Sequence, residues 1–267
     1  MFQEKIAVMG VFQSIWIGYL CAILKDYRME PTVEVCFSPK LYGHKLTSGD
    51  FTTVVVDILR ATTSICAAFD HGVREIIPVS GLDEAQEMKS KGYFVACERN
   101  GQIMDFADIG NSASDFIRED LIDQQVVFST TNGTKTINMA RDAKEVLIGS
   151  FVNLEALAAY LGSKKENVVI FCAAWKSLFN LEDSVFAGAL AERLMEQGFS
   201  TQCDSVHGAI DLWHRAKTDL KGYLAKSSHR NRLKHLVSDE DFEYTVTLNS
   251  TEVIPVLKED SLELLER

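Results

Sequence analysis

From residue 33 onward the chain alternates short runs of valine, isoleucine and other apolar residues with longer stretches whose apolar positions return every three or four residues. The short runs predict strands at Val33–Phe37, Thr52–Leu59, Glu75–Val79, Tyr93–Glu98, Gln125–Thr130, Glu145–Gly149 and Val168–Ala173. The helical period predicts helices at Thr63–Gly72, Leu82–Lys91, Ser112–Ile122, Thr134–Arg141, Asn153–Leu161 and Glu182–Gln197. Near-continuous apolar strands separated by helices imply a sheet covered on both faces. The expected class is α/β, a three-layer α/β/α sandwich around a mainly parallel sheet. After residue 203 the pattern changes. Residues 204–236 read as one long helical region, and 242–257 as one or two closing strands forming an edge hairpin or a cap over a site.

Only four prolines occur in 267 residues, and no repeat or low-complexity tract breaks the pattern, so residues 30–267 read as a single domain. The first 29 residues read as an extension. Residues 6–24, IAVMGVFQSIWIGYLCAIL, carry no charge and have the length of a membrane-span candidate. They read as an anchor, as an apolar helix docked on the domain, or as a stretch upstream of the true start. Met29, which opens MEPTVEVCFSP before the first strand, favours the last.

Charge and cysteine usage narrow the class. A net charge of -11 repels a phosphate backbone, so nucleic acid is not an expected partner. The six cysteines form no C-x-x-C pair and lie mostly in apolar runs, as in a cytoplasmic protein with reduced thiols. Membrane association is expected only if the 6–24 segment is native. A homo-oligomer is left open.

In open α/β sheets, ligands sit at the carboxyl ends of strands, beside helix N-termini. Four strand exits carry chemistry. DILRATTS, residues 57–64, places Asp57, Arg60, Thr62 and Thr63 where an apolar strand ends. CERNG, residues 97–101, places Glu98 and Arg99 before a glycine. FSTTNGTKT, residues 128–136, puts hydroxyls, Asn132 and Gly133 at a helix start, where free N–H groups favour an anion. FCAAWKSLFNLEDSVFAGAL, residues 171–190, opens a helix with Glu182 and Asp183. Each taken singly has an ordinary structural role. Asp57 can pair with Arg60 while Thr62 or Thr63 caps the helix, and Glu98-Arg99 can be a surface pair. Asn132-Gly133 can be a turn, and Asn180 with Asp183 can cap the following helix.

The fourth exit resists that reading. Glu182, Phe186, Leu190 and Leu194 share one helical stripe, so the glutamate continues the buried face and needs a partner, either arginine or a metal ion. Asp57, Glu98, Glu182 and Asp183 are hard oxygen donors of the kind Mg²⁺ takes, and Arg60 and Arg99 are forks that fit oxyanions. The sum points to a small anionic phosphoester with a divalent cation. No G-x-x-x-x-G-K-[ST] loop, C-x5-R loop or G-x-S-x-G elbow is present, and Leu59 stands two positions after Asp57, where a D-x-D site would carry its second aspartate.

At these exits the chain resembles the 2-phosphosulfolactate phosphatase family. DILRATT at 57–63 matches its D-x-L-R-A-T-[ST] pattern, and CERNG at 97–101 matches G-E-R-x-G with cysteine for the first glycine. Gly110-Asn111-Ser112-Ala113 stands for G-N-S-P, and T-T-N-G-T is intact at 130–134. Cys172-Ala173-Ala174 with Leu181-Glu182-Asp183 stands for C-A-G followed by L-E-D, and His229–Leu233 and Val253–Pro255 resemble its C-terminal motifs. The resemblance implies a Mg²⁺-dependent phosphatase that converts 2-phosphosulfolactate to sulfolactate and phosphate, a step toward coenzyme M. Asp57, Glu182 and Asp183 would hold Mg²⁺, with Asp57 and Glu98 as the catalytic acids, Glu98 as ligand or base. Arg60, Thr62, Thr63, Arg99, Asn111, Ser112, Thr130, Thr131, Asn132, Gly133 and Thr134 would bind substrate. Ala174 and the WKSLF that follows depart from the family pattern and add Lys176 near the site. Two alternatives remain: a phosphatase of another phosphorylated acid, and an anion-binding module without turnover.

Overall fold

The computed structural model describes residues 30–45 and 50–266. The apolar segment 6–24 and every reading of residues 1–28 lie outside the described residues. All seven predicted strands form: β1 (Val33–Cys36), β2 (Phe51–Val56), β3 (Glu75–Pro78), β4 (Phe94–Arg99), β6 (Gln125–Ser129), β7 (Glu145–Gly149) and β8 (Asn167–Cys172). A short β5 (Gln102–Ile103) follows β4, and β9 (Pro255–Lys258) and β10 (Ser261–Leu264) close the chain. They make one sheet in the order β1-β8-β2-β7-β9-β10-β3-β6-β4-β5, with helices on its faces. The class is α/β with a mainly parallel sheet, as the pattern predicts.

β2 lies at the centre of the first parallel block, paired in register with β8 from Phe51 opposite Asn167 to Val56 opposite Cys172. Side chains alternate along a strand. Val54 and Val56 therefore join one core, with Ile170, Leu190 and Leu194, while Phe51 and Val55 join the other, with Ile65 and Phe171. Each such fully buried side chain contributes about 1.5–3 kcal/mol over its exposed state, which is why both faces read as apolar in the sequence.

The two parallel blocks, β1-β8-β2-β7 and β3-β6-β4, are joined by the β9-β10 hairpin. Three successive antiparallel contacts, β7 with β9, β9 with β10 and β10 with β3, set the blocks in opposite senses. Each flank of the hairpin holds by a single residue pair, Leu147 with Val256 and Leu262 with Ile76. The exits of β2, β4 and β6 nonetheless meet in one crevice, where Asp57, Glu98 and Thr131 line the same cavity. The closing strands are thus neither an edge hairpin nor a cap.

Other expectations need correction at the same end of the chain. Residues 239–246 are a helix, Asp239–Val246, capped by Ser238, because Phe242 and Val246 four apart bury one face where strand propensity alone favoured β. The helical region 204–236 is three helices, Asp204–Ala216, Leu220–Leu224 and Ser228–Leu233. Asp219 and Ser227 interrupt it, their side chains accepting from Gly222 N and Arg230 N as caps. The predicted helix 112–122 is a short Ala113–Phe116 helix and a 3-10 turn at Glu119–Leu121. Among the described residues no helix is long and apolar enough to cross a membrane.

Candidate active site

The exit of β2 is tied down by its own hydroxyls. Asp57 N donates to Thr62 Oγ1 at 3.0 Å, and Thr63 Oγ1 lies 2.9 Å from Ile58 O and 2.8 Å from Ser150 Oγ. Thr62 and Thr63 are fully buried and shape the turn from which Asp57 and Arg60 project. Arg60, itself buried, donates to Ser112 Oγ at 2.7 Å and to the Gly101 carbonyl at 3.4 Å. Burial lowers its pKa, opposed by the charges of Glu98, Asp115, Asp241 and Asp57.

The β4 and β6 exits are held to each other by Glu98. Its Oε1 accepts from Thr131 N at 2.8 Å, and its Oε2 accepts from Gly101 N at 2.6 Å and Thr131 Oγ1 at 3.2 Å. Gly101 has φ +87°, which favours glycine, and a Cβ there would lie 2.7 Å from Leu236 and 2.8 Å from Leu233. Thr130 and Thr134 cap reciprocally: Thr130 N donates to Thr134 Oγ1, and Thr134 N to Thr130 Oγ1, both at 3.1 Å. Gly133 makes the closest approach. A Cβ at this position would stand 2.3 Å from Ala61 Cβ and 2.8 Å from Asp57 Oδ2, so only glycine lets the backbone reach the carboxylate.

The β8 exit supplies the remaining acids. Asn180 caps the Leu181–Glu196 helix, accepting from Asp183 N at 3.3 Å, so the capping reading holds for the asparagine. Asp183 does more than cap. Its Oδ1 accepts from Ile58 N at 2.9 Å and its Oδ2 from Ala174 N at 3.1 Å, joining the β2 and β8 exits. Glu182 is 0% exposed, as its stripe predicts. His229 Nδ1, from the Ser228–Leu233 helix, stands 2.8 Å from Glu182 Oε1. It is out of line for a hydrogen bond, and both Glu182 oxygens and this nitrogen have no hydrogen-bond partner. Burial and the neighbouring acids push the Asp57 and Asp183 carboxyls up to about 7. For Asp57 the charge of Asp183 adds to burial; for Asp183 it is that of Glu182.

These residues enclose a narrow cavity of about 20 Å³ walled by Asp57, Arg60, Glu98 and Asn111, with Thr131 and Asn132. Trp175, His229 and Leu233 also line it. Asn111 Oδ1 is buried there without a hydrogen-bond partner. The volume is that of about one water molecule. A larger hollow of about 460 Å³, beside Glu155, Tyr160 and Glu252, has no basic residue on its wall and does not suit an anion.

Sequence reasoning placed Asp57, Arg60, Glu98, Asn111, Thr131 and Asn132 on this wall, with Glu182 and Asp183 behind it. Thr62, Thr63, Thr130 and Thr134 have hydroxyls bound to the backbone, and Ser112 Oγ receives Arg60. Arg99 is not brought in. It leaves β4 on the face opposite Glu98 and donates to Ser129 Oγ, the Ser80 carbonyl and the Glu98 carbonyl. His229 and Trp175 are the wall residues that the reading of strand exits missed. His229 lies outside the repeating β-α pattern, and its motif was the only signal available. Among the described residues, no group of three or more His, Cys, Asp or Glu converges at metal-ligand distances. What the acids do offer is Glu182, with both buried oxygens unsatisfied, and Asp57 facing the cavity.

Comparison with known proteins bears on this geometry. The family model for 2-phosphosulpholactate phosphatase matches residues 36–260. Over 206 residues the chain is 34% identical to a protein of Thermotoga maritima, covering 77% of this chain and 88% of that one. Over 217 residues it is 35% identical to one of Carboxydothermus hydrogenoformans, covering 80% and 90%. A third, from Microcystis aeruginosa, is 32% identical over 216 residues, covering 78% and 90%. Each of the three carries the name probable 2-phosphosulfolactate phosphatase.

Proposed function

The chain belongs to the 2-phosphosulpholactate phosphatase family and is a phosphoric monoester hydrolase; from that premise we propose that it hydrolyses 2-phosphosulfolactate to sulfolactate and phosphate, with Mg²⁺ as cofactor. The observation that carries the metal is Glu182, a fully buried carboxylate whose two oxygens lack hydrogen-bond partners beside two more buried acids. The His229 ring, 2.8 Å from one of its oxygens, can offset at most one of these three crowded negative charges, and leaving the others uncompensated costs several kcal/mol. A cation held by one or two carboxylates, with water on its other sites, is the usual habit of Mg²⁺. That habit fits acids that do not converge as a preformed cage. Asp57 and Glu182 would hold the ion, with Asp183 beside them. When bound, it would stabilise charge on the phosphoryl oxygens.

The chain's own residues do the rest. Arg60, fixed by Ser112 and Gly101, presents its guanidinium to the phosphoryl group, where charge gathers during transfer. Asn132, on the cavity wall before the Gly133–Met139 helix, is placed to donate its side-chain amide to the ester, while Thr131 is held by Glu98. Glu98 has both oxygens committed to backbone donors, so its role is to hold the two loops rather than to take a proton. His229 is the titratable wall residue left to carry a proton from the attacking water to the leaving alkoxide. The P–O ester bond breaks, water supplies the new P–O bond, and its proton ends on the sulfolactate hydroxyl. A place toward coenzyme M and a cytoplasmic location follow from this substrate and form part of the proposal.

The test is phosphate release from 2-phosphosulfolactate, phospholactate and phosphoglycolate, with Mg²⁺ and with EDTA. Activity abolished by EDTA and restored by Mg²⁺, with at least a hundredfold loss in Asp57→Asn, is the expected result, on the order of 3 kcal/mol. EDTA-resistant turnover would remove the metal, and release from none of the three esters would leave an anion-binding module.

A further inference from the structure

We propose that Arg232 and Lys176, both seated on the ring of Trp175, form a second anion subsite at the mouth of the cavity, which takes the sulfonate or carboxylate that the substrate carries besides its phosphate. This rests on the phosphatase reading above and names the part of the site that reads the rest of the molecule.

Charge accounting raises the question. A phosphorylated sulfo-acid brings a phosphate and two acid groups, while the cavity wall has one guanidinium, Arg60, already tied to Ser112 and Gly101. Arg99, the other fork expected there, is turned to Ser129 and Ser80. The bound ester therefore needs a further cation close to the wall.

The geometry supplies one. Trp175 lines the cavity, its ring centre 5.5 Å from that of His229. Arg232 lies three residues after His229 on the same short helix, and its guanidinium carbon stands 3.7 Å over the Trp175 ring. Lys176 Nζ is 5.5 Å from that ring. Two cations thus share one aromatic ring, and among the described residues neither has a carboxylate within ion-pair distance. By contrast, Arg230 on the same helix reaches Asp239 at 2.8 Å. Burial lowers the Arg232 pKa, and the charge of buried Glu182 opposes that effect. Two cations on one ring with no carboxylate at ion-pair distance are poised for an anion, and a guanidinium stacked on an aromatic keeps its N–H edge free to meet a sulfonate or carboxylate.

The loop that places them is built rather than loose. Ala174 N donates to Asp183, Ser177 O accepts from Ser38 Oγ at 2.7 Å, and Trp175 pairs with Leu178 across the turn. This is the WKSLF stretch, so the sequence departure beside the site acquires a role as a specificity element.

The experiment compares Arg232→Ala, Arg232→Lys and Lys176→Ala with the wild type on two substrates, 2-phosphosulfolactate and glycerol 2-phosphate, which has no acid group beyond its phosphate. For Arg232→Ala, the loss of kcat/KM is expected to be at least tenfold greater on the sulfo-acid ester, carried mainly by KM, with Arg232→Lys recovering part. A second readout is calorimetric binding of sulfolactate, which has no phosphate, against inorganic phosphate. Sulfolactate is expected to weaken at least tenfold more than phosphate in Arg232→Ala. Equal losses on both substrates and both ligands, or no loss, would overturn the subsite. A wild type that hydrolyses neither ester would defeat the phosphatase reading, and the calorimetry would still decide this one.

Discussion

Glu182 carries the most information of any single residue. Its position on the stripe with Phe186, Leu190 and Leu194 made its burial readable from spacing alone, and all four are fully buried. Its surroundings were not readable, because His229 comes from a helix 47 positions later in the chain whose placement no periodicity foretells. In EDTA at pH 8, Glu182→Gln is expected to raise the melting temperature, since it removes one charge from three crowded buried acids that have only the His229 ring beside Glu182. With Mg²⁺ present, the same variant loses at least a hundredfold in kcat/KM. A melting temperature that falls in EDTA would show that the carboxylate is satisfied without metal. Gly133 makes a second case. Its Cβ-free approach to Asp57 is what the T-T-N-G-T segment secures, so Gly133→Ala is expected to cost about a hundredfold in kcat by displacing a carboxylate through a fraction of an ångström. Circular dichroism of that variant would remain native.

At the scale of elements, the site depends on loops being held to one another rather than on any one strand. Asp183 joins the β2 exit at Ile58 to the β8 exit at Ala174. Asp183→Ala leaves two buried N–H groups without acceptors, and urea denaturation at pH 5 is expected to show a loss of about 2–4 kcal/mol. Asp183→Asn keeps one acceptor and about half of that. A loss under about 0.5 kcal/mol would contradict the clamp. The strands were legible because both their faces are apolar, and the Leu181–Glu196 helix because its stripe is long. Residues 242–246 were not: Tyr, Thr and Val favour a strand locally, and only the packing of Phe242 and Val246 decides for helix. Arg99 illustrates the same limit. Its presence at a strand exit was visible, but one residue of register sends its side chain to the face away from Glu98.

For the whole molecule, the buried acids make stability depend on pH and on metal together. Asp57 and Asp183 are raised from 3.8 to about 7, so between those values the folded protein binds protons that the unfolded chain has released. That contribution is fully present below about pH 4 and is lost as pH rises through 7. The metal-free protein is therefore expected to show a falling contribution to its melting temperature from pH 5 to pH 8. Stabilisation by Mg²⁺ is expected to be larger at pH 8 than at pH 5, where protons compete for the same oxygens. Scanning calorimetry across that range checks both, and an equal Mg²⁺ effect at the two ends would contradict the buried-acid site. The α/β class was legible from the alternation of elements, but the insertion of the β9-β10 hairpin between the two blocks was not, since each flank holds by one residue pair. The most direct measurement is the anomalous signal of Mn²⁺ diffused into crystals of the protein in place of Mg²⁺. A peak beside Asp57 and Glu182, absent from Glu182→Gln crystals, is the result this account predicts; a fully active enzyme whose Mn²⁺ sits elsewhere, or nowhere, would contradict it.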